Sequence, residues 1–350
     1  MNPGFWKNRS VFLTGHTGFK GGWTALLLSQ MGAKVYGYSL EPPTKPSFFT
    51  ETKLETCLSK STIANILDLK LLTQAMSEAK PSIVIHMAAQ SLVRKSYSEP
   101  LETFTTNVIG TVNVFEAVKR IETIKAVINV TTDKCYENYE QVLPYRENDP
   151  LGGYDPYSSS KACAEIVTSA YRKSFFTELG IQLASVRAGN VIGGGDWAAD
   201  RLIPDFFRAL DDNKTLQVRS PKAIRPWQHV LEPIFGYLVL AEKLVADNSN
   251  YSEAWNFGPL EDDVKSVSWI AERLCAKIPN SNWETISSSH LHEAKLLSLD
   301  ISKARSRLNW SPRWSLSTAL DATIDWHQAW KQGRSMKEIS INQIKFYITA

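Results

Sequence analysis

The chain has 350 residues, 43% of them hydrophobic, and a formal net charge of +3; that is enough for one large α/β domain or two smaller ones, and the near-neutral charge, with no long basic run, speaks against nucleic-acid or membrane-surface binding. Four scattered cysteines, Cys57, Cys135, Cys163 and Cys275, form no C-x-x-C pair, which disfavours disulfides and a zinc site and fits a reducing cytoplasm. The N-terminal "MNPGFWKNRS" lacks the basic-then-apolar pattern of a signal peptide, and no apolar run approaches the roughly 20 residues that span a bilayer.

Strand-like and helix-like segments alternate through the first half. "SVFLTG" (10–15) predicts a strand ended by glycine, and "GWTALLLSQMG" (22–32) a helix with a glycine stop. "AKVYGYSL" (33–40) and "STIANILD" (61–68) predict strands, and "LKLLTQAMSEAK" (69–80) a helix. "SIVIHMAA" (82–89) is nearly all apolar, as a strand buried on both faces should be. A helix over 106–121, a strand over 126–132, a helix over 156–176 and a strand over 182–191 follow. Beyond them come a glycine-rich turn (193–200), helices over 204–210, 232–245 and 266–278, a strand over 254–258, and a Trp-Pro turn leading into a helix within 308–330. This alternation predicts βαβ units in a doubly wound parallel sheet, with a smaller C-terminal substrate-binding domain. The expected division is 1–188 plus about 226–256 for the first domain, and about 189–225 plus 257–350 for the second. Ligands of such sheets bind beyond the carboxyl ends of the strands. Gly15, Ala88, Thr131–Lys134 and Arg187–Asn190 therefore fall along one edge.

"TGHTGFKG" (14–21) sets Gly15, Gly18 and Gly21 at three-residue intervals between a strand and a helix. Glycines let the backbone turn tightly and approach a pyrophosphate, and the helix N-terminus offers free N–H groups. This predicts a Rossmann-type dinucleotide site. The acid that usually ends the second strand is replaced by Ser39, and no arginine stands there for a 2′-phosphate, so NAD is the expected cofactor. Asp68 is either an adenine contact or the N-cap of the next helix. His16, inside the loop, is expected to crowd the cofactor and weaken its binding.

"DPYSSSK" (155–161) opens a helix, with Asp155 as N-cap and Pro156 at its first position. Tyr157 and Lys161 are four apart and share a face. A nearby ammonium favours the phenolate, which can then take a proton from a sugar hydroxyl while hydride leaves the same carbon. "VTTDKC" (130–135) ends a buried strand with two hydroxyls, an acid and a lysine.

"TGHTGFKG", "HMAAQSLV", "TNVIGT", "TTDKCY" and "YSSSK", in this order and spacing, resemble the extended short-chain dehydrogenase/reductase family, and the tail "LNWSPRWSLSTALDATIDW" is similar to that family's. The resemblance implies that Thr131 bonds the sugar 4-hydroxyl, Tyr157 is the base and Lys161 binds the nicotinamide ribose. It also implies cofactor contacts from Gly15, His16, Thr17, Gly18, Phe19, Gly21, Ser39, Asp68, Ala88, Ala89 and Gln90, with Asn107 supporting the active-site helix. Sugar-nucleotide 4,6-dehydratases of this family place acid–base groups after the active-site threonine, whereas simple 4-epimerases need none. Most carry Asp-Glu there; this chain has Asp133-Lys134. Asp133 suits the acid for the 6-hydroxyl if it is kept protonated. Lys134 either becomes neutral and takes the C5 proton, or stays charged and stabilises the C4 enolate.

The same resemblance implies a nucleotide-sugar substrate touched by Ser91, Asn190, Trp197, Arg201, Arg219, Arg225 and His229, with Trp227 a second stacking face. Arginine forks suit a pyrophosphate, though any of these could be a surface ion pair or core residue instead. A homodimer or homotetramer is implied through helices near 106–121 and 156–176. Rival readings are a nucleotide-sugar 4-epimerase and a cofactor-sensing regulator of the same fold, against which the intact Tyr157–Lys161 pair argues. His86 reads as a satisfied core residue, and His290 and His292 lack the further ligands a metal needs.

Overall fold

The computed structural model describes residues 1–246, 248–286 and 295–350. The strands are β1 (Ser10–Thr14), β2 (Lys34–Ser39), β3 (Lys60–Ile63), β4 (Ile83–His86), β5 (Ala126–Val130), β6 (Gln182–Ala188), β7 (Asn190–Ile192), β8 (Leu216–Val218), β9 (Ile224–His229), β10 (Ala254–Phe257), β11 (Val264–Ser266) and β12 (Trp283–Thr285). Among the described residues seven of them form one sheet in the order β10-β6-β5-β4-β1-β2-β3, every neighbouring pair parallel. The order reverses at β1 and β4, so the crevice between their ends is where a doubly wound sheet binds its ligand. β4 and β5 are buried along their whole length, as their unbroken apolar runs require.

Two cores cover the sheet. One face packs Trp23, Leu26 and Leu27 of the Phe19–Gln30 helix with Ile234, Leu238 and Ala241 of the Leu231–Ala246 helix. The other packs Leu72 and Met76 against Val114, Phe115 and Phe176. A third core, with Phe206, Phe207, Trp227, Ile270, Leu274 and Leu320, lies under the two small sheets β11-β9-β7 and β12-β8. Burying each Leu, Ile, Val, Phe or Met of these cores contributes roughly 1.5–3 kcal/mol before the entropy cost of ordering it.

The third predicted strand stops at Ile63, because Asn65 opens a turn: its Oδ1 accepts from Leu67 N at 3.0 Å and its carbonyl accepts from Asp68 N at 3.0 Å. The helices expected over 106–121 and 156–176 both form, each with a wide π-turn, at Thr105–Ile109 and Arg172–Phe176. A helix that the sequence reading omits, Met336–Thr349, packs Ile344 and Tyr347 into the first core beside Ala304, Leu308 and Trp310. Parts of the C-terminal region thus cover the large sheet rather than the small ones. No helix among the described residues is long and apolar enough to cross a membrane. His290 and His292 lie outside the described residues.

Candidate active site

The carboxyl edge of the large sheet and the small sheets enclose a cavity of about 1450 Å³. Its floor at β1 is the glycine loop. Gly15 has φ +81°, and a Cβ there would lie 2.8 Å from Ala88 N. A Cβ on Gly21 would lie 2.0 Å from the Gly15 carbonyl oxygen. Side chains are excluded at both positions, so the loop folds tightly onto the start of the Phe19–Gln30 helix, whose N-cap Gly18 supplies no side-chain acceptor. The free N–H groups of that turn border the cavity, with Thr17, Gly18, Phe19 and Gly21 in its wall. Thr17 Oγ1 lies 2.8 Å from both Ser39 Oγ and the Leu40 carbonyl, fixing the loop to the end of β2.

His16 does not crowd this space. Its ring turns away beneath β2, where only a glycine at position 37 leaves room: a Cβ on Gly37 would meet His16 Cγ at 2.5 Å. Nε2 lies 2.8 Å from Ser61 Oγ, and burial lowers the imidazole pKa to about 4, so the ring is neutral. Asp68 is likewise outside the cavity. It is the N-cap of the Leu69–Ala79 helix, accepting from Leu71 N at 2.9 Å, and Ala64, Asn65 and Ile66 line the wall instead. The Asn65 turn that ends β3 early is what brings them there.

Ala88, Ala89, Gln90 and Ser91 line the cavity beyond β4. Thr14 Oγ1 accepts from Met87 N and Ala88 N, each at 3.1 Å, and lies 2.7 Å from His86 Nδ1. His86 Nε2 is 3.2 Å from Thr111 Oγ1, a satisfied core histidine whose pKa burial lowers to about 3. Asn107 stands behind this wall rather than in it. Its amide takes Gln90 N at 2.9 Å and donates to Gln90 O and Ser160 Oγ, both at 2.9 Å, joining the β4 loop to the helix that carries Tyr157.

That helix, Pro156–Tyr171, begins as expected with Asp155 capping Ser158 N at 2.9 Å. It faces the end of β5, and the cavity wall here gathers Thr131, Thr132, Asp133, Lys134, Tyr157 and Lys161. The threonine assignment shifts by one residue. Thr131 Oγ1 donates to Glu165 Oε1 at 2.5 Å, so its hydroxyl is committed to the protein interior. The hydroxyl that acts on the Tyr157 phenol, opposing the rise of its pKa, belongs to Thr132, because successive side chains of an extended strand point to opposite faces. Thr132 also donates to Asp133 Oδ1 at 3.0 Å.

Asp133 is 2% exposed; burial raises its pKa, against the pull of Lys134 and the Thr132 bond. Its Oδ2 has no partner within the described residues. Burial likewise pushes Tyr157 up to about 12, with Asp133 adding to the rise and Thr132 and Arg201 opposing it. The protein alone therefore does not lower this phenol as the Tyr-Lys spacing suggests. Lys161 Nζ donates to the Val130 carbonyl at 3.1 Å, and burial lowers its pKa to about 8 while Glu165 holds it up. Lys20, a loop residue absent from the sequence reading, lines the same wall; burial and the charges of Lys161 and Arg201 bring it down to about 8.

Asn190, Trp197, Arg201, Arg219 and Arg225 line the side of the cavity formed by the small sheets. Arg201 pairs with Asp196 at 2.8 Å and donates to Ser91 Oγ at 3.3 Å, spanning the cleft. Arg219 reaches Asp200 at 3.1 Å, and Asp200 lies 3.5 Å from Arg94 on the opposite wall. Trp197 packs edge-on against Trp326 and Trp330, and Trp227 donates to the Lys265 carbonyl at 3.0 Å, so both indoles are anchored in protein. His229 is not in the cavity. It ends β9 with its ring buried between Trp23 and Trp314, and desolvation drops its pKa to about 3. Among the described residues no group of three or more His, Cys, Asp or Glu is placed to hold a metal ion.

The family model described as GDP-mannose 4,6 dehydratase matches residues 12–323. A CDP-glucose 4,6-dehydratase of Salmonella typhimurium is 50% identical, the match covering 100% of this chain and 99% of that protein. The solved dTDP-glucose 4,6-dehydratase of Bacillus anthracis, in complex with NAD, superposes with a TM-score of 0.77 at 22% identity over 94% of this chain and 99% of its own. The UDP-glucose 4-epimerase of Thermotoga maritima with UDP-glucose gives a TM-score of 0.77 at 21% identity over 92% and 99%. Dehydratase and epimerase share this fold, so fold alone does not choose between them.

Proposed function

The chain belongs to the GDP-mannose 4,6-dehydratase family, and on that premise we propose that it converts CDP-D-glucose to CDP-4-dehydro-6-deoxy-D-glucose and water, using NAD. The observation that carries the dehydratase reading is the turn Thr132-Asp133-Lys134 set against Tyr157 and Lys161 in one cavity. The cytosine base follows from the 50% identity to the Salmonella protein.

The loop fits a dinucleotide: Gly15 and Gly21 let the turn close onto the protein's own backbone, and Gly18, lining the cavity, leaves the main chain bare where a pyrophosphate would approach. Gly15, Thr17, Gly18, Phe19 and Gly21 would hold the pyrophosphate, Ser39, Asn65 and Ile66 the adenosine, and Ala88–Gln90 with Lys161 the nicotinamide riboside. Asn107 supports that wall from behind. NAD bound there would supply a hydride acceptor for C4, a hydride donor for C6, and a positive charge that would favour the Tyr157 phenolate.

The chain's own residues do the proton work. Tyr157 takes the proton of the 4-hydroxyl, with Thr132 orienting both oxygens. The resulting ketone acidifies the C5 proton, and Lys134 serves that step as a neutral base or as a charged clamp on the enolate. Asp133, held toward its neutral form by burial, gives its proton to the leaving 6-hydroxyl, which departs as water. A pH–rate profile of Lys134→Glu against wild type separates the two roles of Lys134. An epimerase has no use for this acid and lysine.

Ser91, Asn190, Arg201, Arg219 and Arg225 are assigned to the nucleotide sugar, the arginines to its diphosphate. Of the expected halves, 1–188 with about 226–256 for the cofactor and about 189–225 with 257–350 for the nucleotide sugar, we keep the division except that β9 goes with the small sheets and Met336–Thr349 with the large one. Pairing of two copies would cover Ile109 and Ile166, which are 50% and 58% exposed on the two helices expected at the interface. Light scattering of wild type and Ile166→Glu tests that dimer, alone or within a tetramer. A cytoplasmic setting suits the four free cysteines. The product would feed 3,6-dideoxysugars of bacterial O-antigen and lipopolysaccharide. Incubation with CDP-, dTDP-, UDP- and GDP-glucose tests the reading: CDP-glucose should be consumed fastest and yield a 4-keto-6-deoxy sugar.

A further inference from the structure

Beneath the catalytic turn lies a buried ion pair that the reaction itself does not use. Glu165 and Arg187 are each 3% exposed, with Nη2 and Oε2 2.9 Å apart. Glu165 Oε1 accepts from Thr131 Oγ1, and Oε2 also accepts from Ser185 Oγ at 2.7 Å. Arg187 Nη1 donates to Tyr136 OH at 2.8 Å and to the Glu147 carbonyl at 3.1 Å, and the Tyr136 hydroxyl goes on to Asn256 Oδ1 at 2.7 Å.

Thr131 and Tyr136 are the residues on either side of Thr132–Cys135, the segment that carries Thr132, Asp133 and Lys134. One partner of the pair therefore grips the entry to this segment and the other its exit. Glu165 also sits one helical turn after Lys161, whose Nζ holds the Val130 carbonyl immediately upstream. Burying two charges gives little net stability, and a well-packed apolar pair of the same shape is often as stable or more so. A buried pair at this point is better explained by geometry than by stability.

We propose that Glu165 and Arg187 are positioning residues: their pair clamps both ends of the catalytic turn and so fixes where Thr132, Asp133 and Lys134 stand. Misplacement of reacting groups by about 1 Å can cost on the order of 100-fold in rate. Removal of one partner alone leaves a buried charge unpaired and confounds folding with position. The test is therefore the double variant Glu165→Gln/Arg187→Met, with Arg187→Lys as a second variant that keeps the charge and loses the guanidinium fork.

The kinetic arm rests on the dehydratase reading; the exchange arm does not. For both variants kcat should fall on the order of 100-fold while KM stays within about threefold. In a single turnover NADH absorbance should build up, because elimination slows more than C4 oxidation. Without substrate, amide exchange across residues 131–136 should accelerate while thermal unfolding of the double variant stays near wild type. A double variant with wild-type kcat and wild-type exchange across 131–136 overturns the proposal. Wild-type protein inert toward CDP-glucose would sink the functional reading alone, and the exchange arm would then decide this one.

Discussion

Thr132 stands between Tyr157 and Asp133: its side chain opposes the rise of the Tyr157 pKa and donates to Asp133 Oδ1 at 3.0 Å. One hydroxyl thus links the group that begins the oxidation to the group that ends the elimination. Thr132→Val should lower kcat by about 10²-fold with little change in melting temperature. Thr131→Val acts differently, stranding Glu165 Oε1 in the interior at a cost of about 1–3 kcal/mol of stability. Kinetics and thermal unfolding of the two variants check this; a larger kcat loss from Thr131→Val would reverse the assignment.

Asp133 gives a second expectation. Asn keeps the shape and the bond from Thr132 but has no acidic proton to give the 6-hydroxyl. Asp133→Asn should slow dehydration by about 10²–10⁴-fold while C4 oxidation survives, so absorbance at the NADH band persists instead of decaying. If oxidation and dehydration fall together, Asp133 is a binding group rather than the acid.

Much of this edge was legible before any coordinates. Strand ends can be located from where apolar runs stop, which brought Gly15, Ala88, Thr131–Lys134 and Arg187–Asn190 to one rim. Which of two adjacent threonines serves Tyr157 was not legible, because both belong to the same run and strand parity decides between them. Asp68 stayed open between adenine contact and cap because an acid before a helix serves as either, and it is the cap. His16 and His229 lie beside glycine and aromatic positions whose three-dimensional neighbours, Gly37 and Trp314, are far off in sequence. Glu165 had a readable signal, its place four residues after Lys161; its partner Arg187 sits on β6, with no spacing that ties the two together. The helix Met336–Thr349 was missed although its N-cap, Ser335, stands in the chain with Glu338 three residues on.

Stability should respond to pH through a different carboxyl. Glu232 is fully buried, accepts from Arg313 N, Trp314 N and Tyr347 OH, and is pushed by burial up to about 6 from its ordinary 4.5. The folded state thus holds this proton more tightly than the unfolded chain. Its contribution is complete below pH about 4.5 and lost as pH rises through about 6, about 2 kcal/mol in all. Denaturant unfolding of wild type and Glu232→Gln should show a stability difference that moves against wild type by that amount from pH 4.5 to 7. A difference constant with pH would mean that Glu232 does not titrate on folding.

The central claim is that one cavity oxidises C4, eliminates water across C5 and C6, and returns the same hydride to C6. CDP-glucose deuterated at C4, incubated with the protein and NAD and followed by NMR and mass spectrometry, tests this most directly. The account predicts a 4-keto-6-deoxy product carrying the deuterium at C6, with no net NADH. A product changed only at C4, or a 6-deoxy product whose C6 bears no deuterium, would contradict it.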